Sequence, residues 1–281
     1  MWRKVLFGLI IVFGLFVTSA SAQDKSYSAD RFDVDVVVQE DGSLLVTETV
    51  VFSFVGEPFT FVFRELPTDL TDGITDIVAT VDGRIYPKGT NTGQVEITGR
   101  DPIRVDYHFE PTANTSRTFV LQYTMHGVVR QEEDVDLLIL QPLPDSYEYT
   151  IDSSVVTIRY PNTAVLATAP TITAGSAQID QVGTQFTFTK QNLSPNEPLV
   201  FNMAFESGSL ISTAPEWQTQ RARQLAMTPI LSLIATGLLG LGASLIIKYW
   251  RQHRPHMPKT KEIASEKPGK LPPAFVGMLL T

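Results

Sequence analysis

The sequence predicts an all-β fold, in which an extracytoplasmic β-sandwich of one or two packed lobes is followed by a single transmembrane α-helix. Three observations carry this prediction. Apolar and polar residues alternate in many short segments before position 206, glycine and proline turns separate those segments, and residues 224–247 form an uncharged run. Alternation with a period of two is typical of half-buried strands, and a long uncharged apolar run is typical of a membrane span.

The N-terminus is typical of a secretory signal peptide. Arg3 and Lys4 precede a short apolar stretch at 5–17, and Ala20 and Ala22 then have the spacing of a cleavage site. A signal peptide has a basic N-terminal region, a short apolar centre and a cleavage site with small residues. Residues 1–22 are therefore expected to be cleaved. The alternative is an uncleaved anchor, and in both cases the segment 23–220 is translocated.

Residues 23–206 are expected to form the β domain. Its first clear strand alternates polar residues with an apolar set that consists of Phe32, Val34, Val36 and Val38. Asp41 and Gly42 then mark a hairpin turn. Pro142 and Pro144 interrupt the chain later. The sequence leaves open whether 141–146 separates two lobes or whether the part after it completes a single sandwich.

Residues 207–223 are expected to be a linker that leads into the transmembrane helix, 224–247. As a helix, this run is about 36 Å long at about 1.5 Å per residue, enough to cross a hydrocarbon core of about 30 Å. Lys248, Arg251 and Arg254 begin a short basic tail, 248–281. The flank richer in lysine and arginine stays in the cytoplasm, so the large domain is predicted to lie outside.

Charge differs between the two sides of the span. Residues 23–226 hold 28 acidic and 13 basic residues, a net of −15, whereas 248–281 hold seven basic and two acidic residues, a net of +5. An acidic external domain argues against nucleic acid as a partner. The chain has no cysteine, which excludes disulfides, thiol catalysis and metal sites built on cysteine.

Glu48 is the most informative polar residue, because the alternation of its strand places it on the apolar face. Leu44, Val46, Val50 and Phe52 share that face. A carboxylate on an apolar face must find a partner or take up a proton. Arg64 is the expected partner, in a bidentate contact that fixes strand register. A ligand-binding carboxylate is the alternative.

Other candidate sites are weaker. Four carboxylates crowd one stretch, and a solvated loop is preferred over calcium binding because EF-hand spacing is missing: Glu132, Glu133, Asp134 and Asp136. His108 and His126 are the histidines of the β domain, and they do not predict a metal site. No nucleophile, phosphate-binding or dinucleotide motif is present. We therefore expect no enzyme activity, no cofactor and no metal.

Within the span, small residues recur every fourth position and form a stripe that consists of Ser232, Thr236, Gly240 and Ser244. Small side chains at this spacing let a second helix approach closely, so helix–helix association is one hypothesis. The alternative is that glycine and serine are simply common in membrane spans.

Several short motifs occur in a fixed order: Asp41-Gly42-Ser43, Val46-Thr47-Glu48, Phe52-Ser53-Phe54 and Phe63-Arg64-Glu65-Leu66-Pro67. With them the chain resembles the domain-of-unknown-function 2207 family of YciQ-like predicted membrane proteins, over residues 27–206. The resemblance implies a signal peptide, an external β domain, a transmembrane helix and a cytoplasmic region. It also implies a natural truncation, a split gene or a fragment, since the sequence stops where that region starts. It implies no activity, substrate or catalytic residue.

The function expected from these patterns is a non-catalytic binding or scaffolding module at the cell envelope. The protein is expected in the cytoplasmic membrane as a single-pass protein, with its N-terminal domain outside and its tail inside. Expected partners are the lipid bilayer and a membrane or envelope protein, or a second copy bound through the span. The alternatives are a transmembrane sensor and an envelope hydrolase.

Overall fold

The structure is a computed structural model that describes residues 25–144 and 146–254, apart from the side chains of residues 230 and 231. The predicted signal peptide, 1–22, and the part of the tail beyond residue 254 lie outside the described residues. The chain divides into two units, one that ends at Arg223 and one that begins at Gln224.

The first unit contains the strands, and a helix starts in it. The elements are β1 (Ser26–Val38), β2 (Leu44–Val55), β3 (Phe59–Leu66), β4 (Gly73–Val81), β5 (Arg84–Tyr86), β6 (Gln94–Thr98), β7 (Ile103–Thr112), β8 (Thr115–His126), β9 (Arg130–Gln131), β10 (Val135–Leu140), β11 (Ile151–Arg159), β12 (Leu166–Ala174), β13 (Gln178–Val182), β14 (Gln185–Leu193), β15 (Val200–Glu206) and α1 (Glu216–Gln252).

The strands form three sheets. The largest has eight strands in the order β13-β14-β11-β1-β2-β8-β4-β5, and the others have the orders β12-β15-β10-β9 and β3-β7-β6. Neighbouring strands pair antiparallel except β1 and β11, which pair parallel. The part of the chain after residue 146 therefore adds β11, β13 and β14 to the same sheet as β1 and β2.

Alternation places the core on one face of the large sheet. In β1 and β2 every second side chain is buried, and the side chains between them are partly exposed. The two smaller sheets cover this face. Phe109 on β7 contacts Phe119 on β8 with ring centroids 5.3 Å apart, and Phe201 on β15 stacks on Phe188 of β14 at 4.3 Å. The predicted β domain followed by one helix is confirmed.

Helix α1 is 37 residues long, and among the described residues it is the one helix long and apolar enough to cross a membrane. It begins earlier than expected. The second half of the predicted linker, 207–223, is helical because a distant residue caps its start. Asp72 accepts hydrogen bonds from the backbone N–H groups of Glu216 and Trp217 at 2.9 and 2.8 Å. Helix starts leave such N–H groups unpaired, and a carboxylate there also favours the helix dipole.

The first half of the linker segment is held by Asp136. This side chain is fully buried, and its Oδ2 accepts the backbone N–H groups of Gly208, Leu210 and Ile211 at 3.0 to 3.1 Å. The expectation of a solvated loop is therefore wrong for Asp136, which lies in strand β10. The three bonds satisfy backbone groups that have no strand partner after β15.

The capping contact generates a prediction about stability. Replacing Asp72 with alanine should lower the free energy of unfolding by about 1 kcal/mol, because two N–H groups at the start of α1 lose their acceptor. The measurement is urea unfolding of the full chain in detergent micelles. Asp69→Ala is the matched control, since Asp69 is exposed and lies in the same loop. Equal unfolding midpoints for the two variants would contradict the capping role.

Candidate functional site

A buried ion pair joins the two layers of the β domain. Arg64 on β3 donates from Nε to Oε2 of Glu48 on β2 at 2.8 Å, and from Nη2 to Oε1 at 2.9 Å. Tyr123 on β8 donates its hydroxyl to the same Oε1 at 2.7 Å. The Glu48 side chain is 3% exposed and that of Arg64 13%. Glu48 and Arg64, which were expected to pair, are thus in direct contact. This contact supplies the partner that a buried carboxylate needs.

Regular strand geometry brings these groups together. Glu48 occupies the buried register of β2 between Val46 and Val50. Tyr123 lies opposite Val46 in the pairing of β2 with β8, two residues along from Glu48. A diagonal neighbour on one face of an antiparallel pair is within reach of a long aromatic side chain. Arg64 approaches from the small sheet, so the pair links two separate sheets.

Burial and charge determine the protonation of this network. Burial by itself lowers the pKa of Arg64, but the charge of Glu48 raises it, and the resulting pKa lies above the ordinary value for arginine. Burial, with a further contribution from Glu48, raises the pKa of Tyr123 well above 10. Burial also raises the pKa of Tyr107 and of Tyr149. At neutral pH a charged guanidinium and a neutral phenol therefore both donate to Glu48.

Arg64 also lines an open cleft of about 690 Å³, which we call the aromatic cleft. Its lining contains β3 from Phe59 to Glu65 and, from other parts of the chain, β1, β2 and the segment 146–149. The aromatic side chains in this lining are Tyr27, Phe52, Phe59, Phe61, Phe63, Tyr147 and Tyr149. A concave site with many aromatic side chains and a few polar groups is the usual form of a binding site.

The aromatic side chains of the cleft differ in exposure. Tyr27 contacts Phe52 at 5.6 Å and Tyr149 at 5.3 Å between ring centroids, and Tyr149 packs edge-on against Phe52 at 5.0 Å. Phe61 and Phe63 are 53% and 51% exposed. The first group forms a packed base, and the two phenylalanines of β3 offer apolar surface to a ligand.

Cations cover two of the β3 rings. The Nζ atom of Lys25 lies 4.2 Å from the ring centroid of Phe59, and the guanidinium of Arg104 lies 3.8 Å from that of Phe63. Arg104 also forms a salt bridge with Glu65 at 3.3 Å. Cation–π contacts of this kind favour a fixed ring orientation. The outer face of β3 is therefore ordered although it is exposed.

A second cavity of about 300 Å³ shares Arg64 and Pro67 with the aromatic cleft. It lies among side chains of the large sheet, the loop after β3, and the four-stranded sheet. Its lining is mostly apolar and includes Val34, Val36, Val46, Leu66, Ile74, Met125, Val128, Ile139, Leu140, Leu143, Val200 and Trp217. The guanidinium of Arg64 thus borders two cavities, while its charge is already paired with Glu48.

A family model for the N-terminal domain of predicted membrane proteins, DUF2207, matches residues 28–205, which is more than half of the chain. The chain belongs to this family. The match covers the β domain from β1 to β15 and includes both members of the buried ion pair. Among curated proteins, no relative matches the chain.

Solved structures share only distant similarity with this DUF2207 member. Leukotriene A4 hydrolase from Saccharomyces cerevisiae has 10% identity and a TM-score of 0.45, with 65% of this chain and 30% of that chain covered. An M1 zinc metallopeptidase from Deinococcus radiodurans has 12% identity and a TM-score of 0.39, with coverage of 65% and 43%. The chain spans less than half the length of these structures. At this level the likeness carries no functional argument.

The small-residue stripe lies on α1, outside the DUF2207 domain. Ser232, Thr236, Gly240 and Ser244 are spaced by four residues, so they follow one face of the helix. The hydroxyls of Ser232, Thr236 and Ser244 donate to carbonyl groups of their own helix at 2.8 Å. Their polar groups are therefore satisfied without a second helix, and helix association stays a prediction.

The two histidines of the domain, His108 and His126, contact different residues. His108 lies 3.7 Å from Glu96, and His126 is hydrogen-bonded to Thr75 at 2.9 Å. Within residues 25–144 and 146–254, no group of three or more histidine, aspartate or glutamate residues is arranged to hold a metal ion. The aromatic cleft is therefore taken as the candidate site of the DUF2207 domain.

The aromatic cleft was not predicted from the sequence. A signal was present in β3, where Phe59, Phe61 and Phe63 alternate with other residues up to Arg64. If Arg64 faces a buried carboxylate, then Phe61 and Phe63 must point to the opposite face. The other lining residues come from β1, β2 and the segment 146–149, and sequence distance hides their proximity.

The buried pair predicts a large effect of truncation. Replacing Glu48 with alanine should lower the free energy of unfolding by about 3–5 kcal/mol, because Arg64 stays largely buried without its carboxylate. The double variant Glu48→Leu, Arg64→Met removes both charges and should lose less. Chemical denaturation of the full chain in detergent micelles measures both. An unchanged midpoint for Glu48→Ala would show that the pair contributes nothing.

The raised pKa of Tyr123 predicts alkaline instability with a defined sign. The folded-state pKa lies above the unfolded value of about 10, so this contribution to stability is complete below pH ~10 and is lost as the pH rises further. The slope is at most about 1.4 kcal/mol per pH unit for one group. Unfolding free energies measured between pH ~8 and pH ~11 should fall less steeply for Tyr123→Phe than for the natural chain. Parallel curves would refute this assignment.

Proposed function

We propose that this DUF2207 member is a non-catalytic binding module, anchored in the cytoplasmic membrane by α1, with the aromatic cleft as its ligand site. The observation that carries the proposal is the composition of the cleft, whose lining combines the exposed rings of Phe61 and Phe63 with a packed aromatic base. Such rings bury large apolar area on binding, and the ring of Phe63 loses little conformational freedom because Arg104 already covers it.

The polar groups near the cleft support binding rather than catalysis. The carboxylate of Glu48 already accepts hydrogen bonds from Arg64 and Tyr123. A general base needs access to the proton that it removes, and this carboxylate is enclosed. The neutral phenol of Tyr123 is committed to the same acceptor. Glu48 and Tyr123 hold Arg64 in place in the lining of the cleft, and the exposed aromatic surface contacts the ligand.

Charge supports an orientation with the β domain outside. The flank after the span begins with Lys248, Arg251 and Arg254, whereas Arg221 and Arg223 are the basic residues close before it. The richer flank favours the cytoplasm. In this arrangement the aromatic cleft faces the cell envelope, and its ligand comes from there. The bilayer itself is the partner of the apolar surface of α1.

A sensor is the second candidate, and one set of contacts favours it. The first turn of α1 is bound to the β domain, because Asp72 caps it and Trp217 donates its indole N–H to Gly127 at 2.7 Å. Gln218 and Gln131 add hydrogen bonds between the same parts of the chain. Ligand binding that moved these strands would act directly on the start of the helix.

A single labelling experiment tests orientation and site together. Because the chain has no cysteine, Phe61→Cys, Val182→Cys and Lys259→Cys each carry one thiol. Intact cells are treated with a membrane-impermeant maleimide that bears a benzophenone. We expect labelling at positions 61 and 182 and none at 259, and after illumination a discrete crosslinked product at position 61 only. Val182 is the matched control, since it is an apolar residue on β13 with 78% exposure.

The outcomes separate the parts of the proposal. Labelling of Lys259→Cys in intact cells would overturn the orientation. Crosslinks of equal yield from positions 61 and 182 would remove the aromatic cleft as the site, and no crosslink from either would argue against a binding module. Loss of the product at 61 in a Tyr149→Ala background would support the cleft, because Tyr149 lies in its base.

A further inference from the structure

We propose that the aromatic cleft binds an extended, net-basic polypeptide segment as an additional strand on the open edge of β3. This inference rests on the proposed binding function and specifies the ligand class. Strand β3 lies at the edge of its sheet, in the order β3-β7-β6. Among the described residues, backbone hydrogen bonds join β3 to β7 only. The other edge of β3 lines the aromatic cleft.

The hydrogen-bond pattern shows which backbone groups face the open edge. Val95 on β6 lies opposite Tyr107 on β7, but its N–H donates to Pro87 and its carbonyl accepts from Gly89. Antiparallel strands alternate between hydrogen-bonded and non-bonded pairs. Tyr107 therefore directs its own N–H and C=O away from β6, towards β3. There it pairs with Val62.

The same alternation then applies from Phe61 to Leu66, where the pairing of β3 with β7 is regular. Since Val62 points its backbone groups at β7, Phe61 and Phe63 point theirs at the open edge. Glu65 follows the same register, and its carbonyl is already occupied by a 2.8 Å hydrogen bond from Nη1 of Arg64. Phe61 and Phe63 thus present two N–H donors and two carbonyl acceptors in the cleft. Their spacing of about 6.7 Å is the two-residue repeat of a strand.

This edge has few of the features that usually block edge strands. Edges are normally blocked by proline, lysine or outward charge, which prevents other chains from pairing with them. Strand β3 has the sequence FTFVFREL, with no proline or lysine; its exposed charged residue is Glu65, its pairing with β7 shifts register between Phe59 and Phe61, and its other exposed side chains include Phe61 and Phe63. An extended peptide satisfies the backbone groups, and its alternate side chains meet the aromatic surface. A glycan has no matching row of amide donors and acceptors.

Charge complementarity indicates a basic segment. Arg64 is neutralised by Glu48, whereas Glu65 shares Arg104 with the closer carboxylate of Asp106. The remaining charges in the cleft lining are those of Lys25, Asp101 and Glu148, so carboxylates exceed cations. The domain around the cleft carries a net charge of −15 from 28 acidic and 13 basic residues at 23–226. Such a surface attracts basic partners and repels acidic ones.

Two proline variants first test the register without any ligand. Phe63→Pro removes an N–H that points to the open edge, so its unfolding midpoint should match that of Phe63→Val. Val62→Pro removes an N–H that is bonded to β7, so this variant should unfold at a clearly lower urea concentration. If Phe63→Pro is the less stable of the two proline variants, the derived edge is wrong and the proposal falls.

Peptide binding is then measured on the full chain in lipid nanodiscs. The probe is a phage-displayed random decapeptide library, and enriched sequences are synthesised with and without N-methyl groups on alternate residues. We expect enriched peptides to be net basic. N-methylation of one alternate set should weaken binding at least tenfold and methylation of the other set should not, since only one set of N–H groups faces β3. Binding should slow amide exchange at Phe61 and Phe63.

The variants separate this inference from the proposed function. Phe63→Val keeps the backbone N–H but lacks the ring, so it should bind more weakly than the natural chain, and Phe63→Pro, which lacks both, should bind at least tenfold more weakly than Phe63→Val. Equal binding by both variants, or equal binding of all methylated peptides, would overturn strand addition and leave a cleft that binds side chains. No enrichment over empty nanodiscs would overturn the peptide ligand, while the crosslink from position 61 would then still report on the binding module.

Discussion

The ion pair between Glu48 and Arg64 is the constraint on which the rest of the β domain depends. It crosses from the eight-stranded sheet to the three-stranded sheet, and Tyr123 holds the same carboxylate from a third strand. Neither charge is stable in this environment without the other. The pair therefore sets both the register of β3 and the face that β3 turns towards the core.

The aromatic cleft is a consequence of that register. A one-residue shift of β3 would turn Arg64 outward and bury Phe63, because side chains alternate between the two faces of a strand. With Arg64 inward, Phe61 and Phe63 stay exposed, and their backbone groups face the open edge. A buried polar interaction thus determines the position of an exposed apolar surface on the same strand.

The sequence predicted much of the fold because its signals were local. Alternation over a few residues identified β1, and the uncharged run identified the helix. It also predicted the contact of Glu48 with Arg64, since a carboxylate in an apolar register requires a partner. It did not predict the base of the cleft, whose side chains Tyr27, Phe52 and Tyr149 come from three distant parts of the chain.

Taken alone, then, the amino-acid order determined the strand-rich domain, the apolar helix and the need for a buried ion pair, because each follows from the period or polarity of neighbouring residues. Tertiary structure alone decided the order of strands in the sheets, the open edge of β3 and the start of α1. Asp72 caps the start of the helix although it lies 144 positions away in the sequence. Asp136 accepts backbone hydrogen bonds from the segment before the helix. Contacts of this kind depend on which distant groups folding brings within hydrogen-bond distance, and no local pattern encodes that.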